Sequence, residues 1–276
     1  MTELVGEANI APAPPRSALR RFLDSDLFYS FIRSPVTIAS AIITLLLVAA
    51  ALLAPLIAPH NPFDPASLSI ADSLLPPVWG KDGVSDYLLG TDDQGRDVLS
   101  TILFGMRISL SVGFASVLLA TAIGVPLGLA AGYFGGYADA IIMRVADVQL
   151  TFPAILTALL IDGVARGIAG PQAYNDVVFP VLVISIGLSF WVQYARTVRG
   201  SVLVEANKEY VLAARLIGLR PIAILFRHIL PNVLGPVLVI ATINLALMVL
   251  LQVGFAVPRG VGPARGALLP HLFTLA

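Results

Sequence analysis

VTIASAIITLLLVAAALLAPLIA, residues 36–58, is a run of 23 apolar or small residues without a single charge. At about 1.5 Å per residue, a helix of that length reaches about 35 Å, enough to cross the hydrocarbon core of a bilayer. The rest of the chain repeats the pattern. Residues 108–138 and 229–258 are also free of charge, and VVFPVLVISIGLSFWVQYA, residues 177–195, is just long enough to cross. A fifth stretch, AIIMRVADVQLTFPAILTALLI at 140–161, spans only if Arg144 and Asp147 are tolerated near one end. Standing at i and i+3, these two can meet on one helix face as an intramembrane charged pair. Five spans predict an all-α integral membrane protein, a polytopic helical bundle. Nothing shows the ten-residue alternation of a membrane barrel.

Composition agrees. Of 276 residues, 57% are hydrophobic and 12% charged, and the mean hydropathy is +0.88. A soluble domain has nowhere to put that much apolar surface. The chain has no cysteine, so neither a disulfide framework nor a thiolate metal site is available. No feature points to nucleic-acid binding. The net charge of zero hides an asymmetry. Residues 16–35 carry Arg16, Arg20, Arg21 and Arg33, and 196–228 holds six Lys/Arg against Glu205 and Glu209. Residues 59–107 hold seven aspartates against Lys81, Arg96 and Arg107. The positive-inside rule puts the N-terminus and 196–228 in the cytoplasm and 59–107 outside. The expected organisation is a cytoplasmic segment 1–35, a first span 36–58, an extracytoplasmic segment 59–107, a core 108–258 containing the loop 196–228, and a tail 259–276. The N-terminus does not read as a cleavable signal, because its polar leader is long and includes Glu3, Glu7, Asp24 and Asp26. NIAPAPPRS, residues 9–17, reads as a proline-rich disordered stretch. Leu19, Phe22, Leu23, Leu27 and Phe31 then recur at helical spacing, as in a short amphipathic helix on a membrane surface.

EYVLAARLIGLRPIAILFRHILPN, residues 209–232, is the unusual connection. EYVLAARLI favours a helix with Val211, Leu212, Leu216 and Ile217 near one face. Gly218 can take the left-handed conformation that ends it, and Pro221 suits the first turn of the next helix. Ala213, Ala214 and Gly218 form a small-residue surface that a partner can approach closely. An interfacial loop with snorkelling arginines is the competing reading from the residues alone. In the second span, Ser116, Ala120, Gly124, Gly128 and Gly132 recur every four residues, a ridge for close helix packing, with Pro126 beside it. Ahead of that span, LLGTDDQGRDVLSTILFGMRISLSVG at 88–113 offers a capping-box spacing in Thr91 and Gln94, and Asp97 can cap the following helix. A metal held by Asp92, Asp93 and Asp97 is the rarer alternative.

The 209–232 segment resembles the loop of ABC-importer permeases, whose pattern is E-A-A, three residues, Gly, nine residues, I-x-L-P. Leu212, Ala213 and Ala214 fill the first three places, Gly218 the glycine, and His228, Leu230 and Pro231 the last three; Leu212 and His228 depart from the pattern. The wording is similar to the oligopeptide/dipeptide (and nickel) branch, C-type subunit, as are residues 88–113 and ADAIIMRVADVQLTFPAIL at 138–156. The resemblance implies a type I importer permease in the bacterial inner membrane. It would have no catalytic residue, cofactor or metal of its own. It would work with a second, related permease, two ATP-binding subunits, an extracytoplasmic solute-binding protein and membrane lipid. It also implies that Glu209, Leu212, Ala213, Ala214, Arg215, Gly218, Pro221, His228, Leu230 and Pro231 couple the chain to the ATPases. The family expects six spans. After about Ile243 the text NLALMVLLQVGFAVPRGVGPARGALLPHLFTLA departs from it, and the last 13 residues are too short to cross. The expectation is a lost last span, which leaves a truncated or frameshifted, non-transporting remnant as an alternative. An ion-coupled secondary transporter is a further alternative and would rest on Asp147. An intramembrane hydrolase lacks any G-x-S-G, paired-aspartate or H-E-x-x-H signature.

Overall fold

The structure is a computed structural model that describes residues 26–64 and 70–256. It forms two compact units, residues 1–49 and 50–276. In the first, α1 (Asp26–Arg33) leads into α2 (Pro35–Leu52). Ser34 starts α2. Its carbonyl accepts from the Ile38 amide, its hydroxyl accepts from Thr37 Oγ1 at 2.8 Å, and Pro35 takes the first helical position, where a missing amide costs nothing. Ile42, Ile43, Leu45 and Leu46 of α2 are exposed, which is stable only in an apolar solvent. The expected first span, 36–58, is shorter as a helix. α2 stops at Leu52, and α3 (Ala54–Ile57) is a separate turn with Pro55 near its start. The proline has no amide to donate and cannot continue the ladder.

The second unit is a bundle around two long helices. α4 (Val98–Phe134) packs along the second half of α6 (Ala154–Glu205), and α9 (Leu230–Ala256) packs against both. Their shared core includes Val112, Ile186, Phe190, Tyr194, Val198, Val233 and Met248. The α4–α6 seam is the ridge expected from the sequence. Ser116, Ala120, Gly124, Gly128 and Gly132 are all buried. A Cβ on Gly124 would stand 2.5 Å from the Trp191 carbonyl oxygen, and one on Gly128 would stand 2.5 Å from the Ala195 oxygen. The two backbones touch because glycine leaves nothing between them.

The expected fifth span, 140–161, is not one straight helix. α5 (Gly136–Thr151) and the first half of α6, through Gly170, meet at 88°. Pro153 disfavours a helical conformation for the residue before it, and Phe152 is extended at φ −92°, ψ 125°. Gly170, at φ 74°, breaks α6 a second time. Among the described residues four helices are long and apolar enough to cross a membrane, or five if the bent pair counts as one span. The amphipathic pattern before Asp26 and the whole of the 259–276 tail lie outside the described residues.

Candidate functional site

Ahead of α4, residues 70–97 fold into a polar knot rather than a capping box. Thr91 does not meet Gln94. Its hydroxyl donates to the Asp72 carbonyl and accepts from the Leu75 amide at 2.9 Å. Asp92 is buried and accepts from the amides of Gln94 and Arg96, both at 2.9 Å, and from Arg96 Nε at 2.7 Å. Asp97 caps α4 as its position predicts, its Oδ2 accepting from the Ser100 amide at 3.0 Å. Ser100 Oγ in turn accepts from the His60 amide at 3.1 Å, which ties the turn after α3 to the start of α4.

The two charges singled out in α5 do not pair with each other. Asp147 accepts from Arg196 Nη2 of α6 at 2.5 Å. Arg144 has no ion-pair partner among the described residues. A second pair, legible only in three dimensions, is two-pronged. Arg199 Nε and Nη2 donate to the two oxygens of Asp139 at 2.5 and 2.6 Å. α5 is thereby fastened along α6 at two levels. Asp139 and Arg199 are 60 residues apart in sequence, so no local pattern marks them.

Just beyond these pairs, past the C-terminal end of α6, lies the loop. α7 (Glu209–Leu216) is a helix of two turns with Glu209 in its first turn, where the helix dipole favours a carboxylate. It ends in a paired cap. The Gly218 amide donates to the Arg215 carbonyl at 3.0 Å and the Leu219 amide to the Ala214 carbonyl at 3.1 Å. Gly218 sits at φ +80°, which a side chain would resist. Pro221 opens the single turn α8 (Pro221–Ile224), with Arg220 extended before it. Leu225–Ile229 then form a π turn leading into α9. Pro231 supplies the cause. It lacks an amide, and its ring crowds the carbonyl four residues back, so the chain widens by one residue.

α7 divides its side chains in a way that corrects two expectations. Val211 does not share a face with Leu212, Leu216 and Ile217; it is buried with Ala214 against the bundle. Ala214 is therefore not part of an approachable small-residue surface, whereas Ala213 and Gly218 are exposed. Leu216 and Ile217 are 88% and 79% exposed, an apolar tip around the glycine turn. Arg215 lies over the Tyr133 ring, 4.8 Å from its centroid, in the last turn of α4. Pro231 is exposed, His228 and Leu230 are half-buried, and Leu230 packs against the core.

Four further residues, Glu205, Lys208, Tyr210 and Asn232, organise the loop and were not singled out as site residues in the sequence. The Tyr210 hydroxyl donates to Glu205 Oε1 and accepts from Asn232 Nδ2 at 3.0 Å. Lys208 pairs with Glu205 Oε2 at 2.7 Å. Burial first and the Glu205 carboxylate next hold the Tyr210 phenol above its ordinary range, so it stays a donor. Glu205 and Tyr210 are five residues apart and Asn232 is 22 further on, a spacing that fits no single helix face.

Comparison with known proteins identifies the family. Residues 124–260 match the family described as the binding-protein-dependent transport system inner membrane component. The chain belongs to that family. Residues 16–77 match the N-terminal transmembrane domain of oligopeptide transport permease C. The family match runs to residue 260, past Ile243, where the motif-level resemblance stops. The permease is 35% identical to the dipeptide transport system permease protein DppC of Haemophilus influenzae, over 92% of this chain and 82% of that protein. It is 36% identical to the di/tripeptide permease protein DppC of Pseudomonas aeruginosa, over 87% and 75%. It is 38% identical to the glutathione permease protein GsiD of Pectobacterium atrosepticum, over 80% and 67%. Among solved structures, the inward-facing MetNI methionine ABC transporter superposes with a TM-score of 0.50 at 19% identity, covering 63% of this permease and 81% of that chain. That likeness supports the type I importer fold. The chain is thus a multi-pass inner-membrane permease subunit of an ABC importer.

Proposed function

We propose that this permease passes peptides or related small solutes across the bacterial inner membrane, and that α7 and the Gly218 turn form its docking surface for ATPase subunits. The observation that carries the reading is the exposed tip itself. Leu212, Leu216 and Ile217 stand out on a helix whose other face, Val211 and Ala214, is buried against the bundle. An exposed apolar tip on a rigid, capped turn is costly unless a partner covers it. In this reading ATP hydrolysis belongs to two partner subunits, a second related permease completes the path, and an external binding protein delivers the solute. In this reading the N-terminus and the loop lie in the cytoplasm and residues 59–107 outside, the sidedness that the positive-inside rule favours. The rival carboxylate, Asp147, is held by Arg196 at 2.5 Å, which leaves an ion-coupled mechanism without a free acid there.

The test is to purify the tagged chain from native membranes and identify its partners by mass spectrometry, then measure ATP-dependent uptake of labelled di- and tripeptides in reconstituted vesicles. Recovery of two ATPases and a sister permease, with uptake that needs ATP, is expected. Recovery of the chain alone would overturn the reading. Because the chain has no cysteine, single cysteines at 212 and 86 report the sidedness by their access to an impermeant thiol reagent.

A further inference from the structure

Three helix ends meet at one phenol. α6 ends at Glu205, α7 carries Tyr210 in its first turn, and α9 carries Asn232 in its first turn. A tyrosine hydroxyl has one proton to give. The buried Glu205 carboxylate takes it, which leaves the oxygen lone pairs turned toward Asn232 Nδ2 at 3.0 Å. The same Asn232 amide donates to the His228 carbonyl at 2.9 Å, inside the turn that Pro231 has widened. The direction of every bond is therefore set by the carboxylate, and Lys208 holds the other carboxylate oxygen at 2.7 Å.

α7 needs such a lock. It has eight residues, too short to hold its own shape or orientation. Its buried contacts are Val211 and Ala214, small apolar groups that permit rolling about the helix axis. Directional bonds to Tyr210 forbid that rolling. We infer that the Tyr210 hydroxyl, held by Glu205 and bonded to Asn232, is a positioning group that makes α7 and the first turn of α9 move as one piece, so that a displacement imposed on the loop reaches α9. The inference rests on the docking role proposed above for α7.

The test compares Y210F, which keeps the ring and removes both bonds, with wild type in the assembled, reconstituted transporter. The readout is solute imported per ATP hydrolysed, a ratio that reduced assembly alone does not move. Y210F is expected to lower it about five-fold, the scale of one lost hydrogen bond. E205Q keeps an acceptor for the phenol and should stay close to wild type, whereas E205L should resemble Y210F. In the double variant Y210F/N232L the loss should be smaller than the sum of the two single losses, because the residues share one bond; the second Asn232 bond, to the His228 carbonyl, is lost with N232L whether or not the phenol is present. An unchanged ratio in Y210F, or additive losses in the double variant, would overturn the inference. Amide exchange of residues 209–217 in the permease alone separates this from failure of the docking role. If wild type recruits no ATPase, the docking role falls, and exchange still decides the lock: faster in Y210F supports it, unchanged overturns it.

Discussion

Replacing Gly124 with alanine tests the seam on which the bundle is built. The new Cβ would stand 2.5 Å from the Trp191 oxygen, 2.5 Å from Tyr194 Cβ and 3.1 Å from the Ala195 nitrogen. Two of these are backbone atoms, which cannot swing aside. Relief requires α4 and α6 to part by about 1 Å at this level, and a gap of that size forfeits roughly a quarter to a half of each neighbouring dispersion contact. Gly128 and Gly132, one and two turns further along the same ridge, would lose contact together with it. Overpacking of this kind typically costs about 1–3 kcal/mol. Alanine returns about 1 kcal/mol of helix propensity, so a net loss of up to about 2 kcal/mol is expected. Gly200 in α6 supplies the control, because a Cβ there meets nothing within 4 Å; G200A should gain the propensity and pay no clash. Thermal unfolding of both variants in detergent, followed by far-ultraviolet circular dichroism, reads the difference. If G124A unfolds no earlier than G200A, the close-contact argument is wrong.

Gly218→Val should weaken recovery of partner ATPases while leaving membrane insertion intact. A Cβ at φ +80° costs at least about 1–2 kcal/mol, and a branched one more. Arg215→Gln should weaken recovery less, since it removes one exposed cation–π contact with Tyr133, of about 0.5–1 kcal/mol. The reverse order in a quantitative pull-down would misplace the docking surface. Arg96→Met leaves the buried Asp92 carboxylate without its countercharge, a loss of about 3–5 kcal/mol. Protease cutting between residues 58 and 97 in sealed vesicles should rise sharply, and unchanged protection would refute the structural role assigned to the knot.

Local chemistry accounts for what the sequence made legible. The spans follow from charge-free runs, the α4 cap from Asp97, the end of α7 from Gly218, and the α4–α6 seam from small residues four apart. Each of these signals lies within one helix or turn. The break at Phe152 was also written locally, in the proline after it, but the apolar run around it outweighed that signal. The ion pairs were not legible. Arg144 and Asp147 are correctly spaced to meet, yet Asp147 bonds across to Arg196, because packing α5 against α6 brings that guanidinium to 2.5 Å from it. The Tyr210 lock was hidden for the same reason: it joins residues of three helices.

The placement of these features argues for a division of labour. The seam of Gly124, Gly128 and Gly132 is backbone against backbone, so α4 and the second half of α6 have no freedom to slide without losing contact at every level. α7 touches the ends of that rigid pair through single polar contacts instead, Arg215 on Tyr133 of α4 and Tyr210 on Glu205 of α6. Its remaining polar tie is to α9, the helix entered through a π turn and carrying Pro236 within its length. A π turn and an internal proline are where a helix bends most easily. In the proposed coupling role, a push on the loop therefore meets a stiff pair on one side and a bendable helix on the other. α9 is the element that yields.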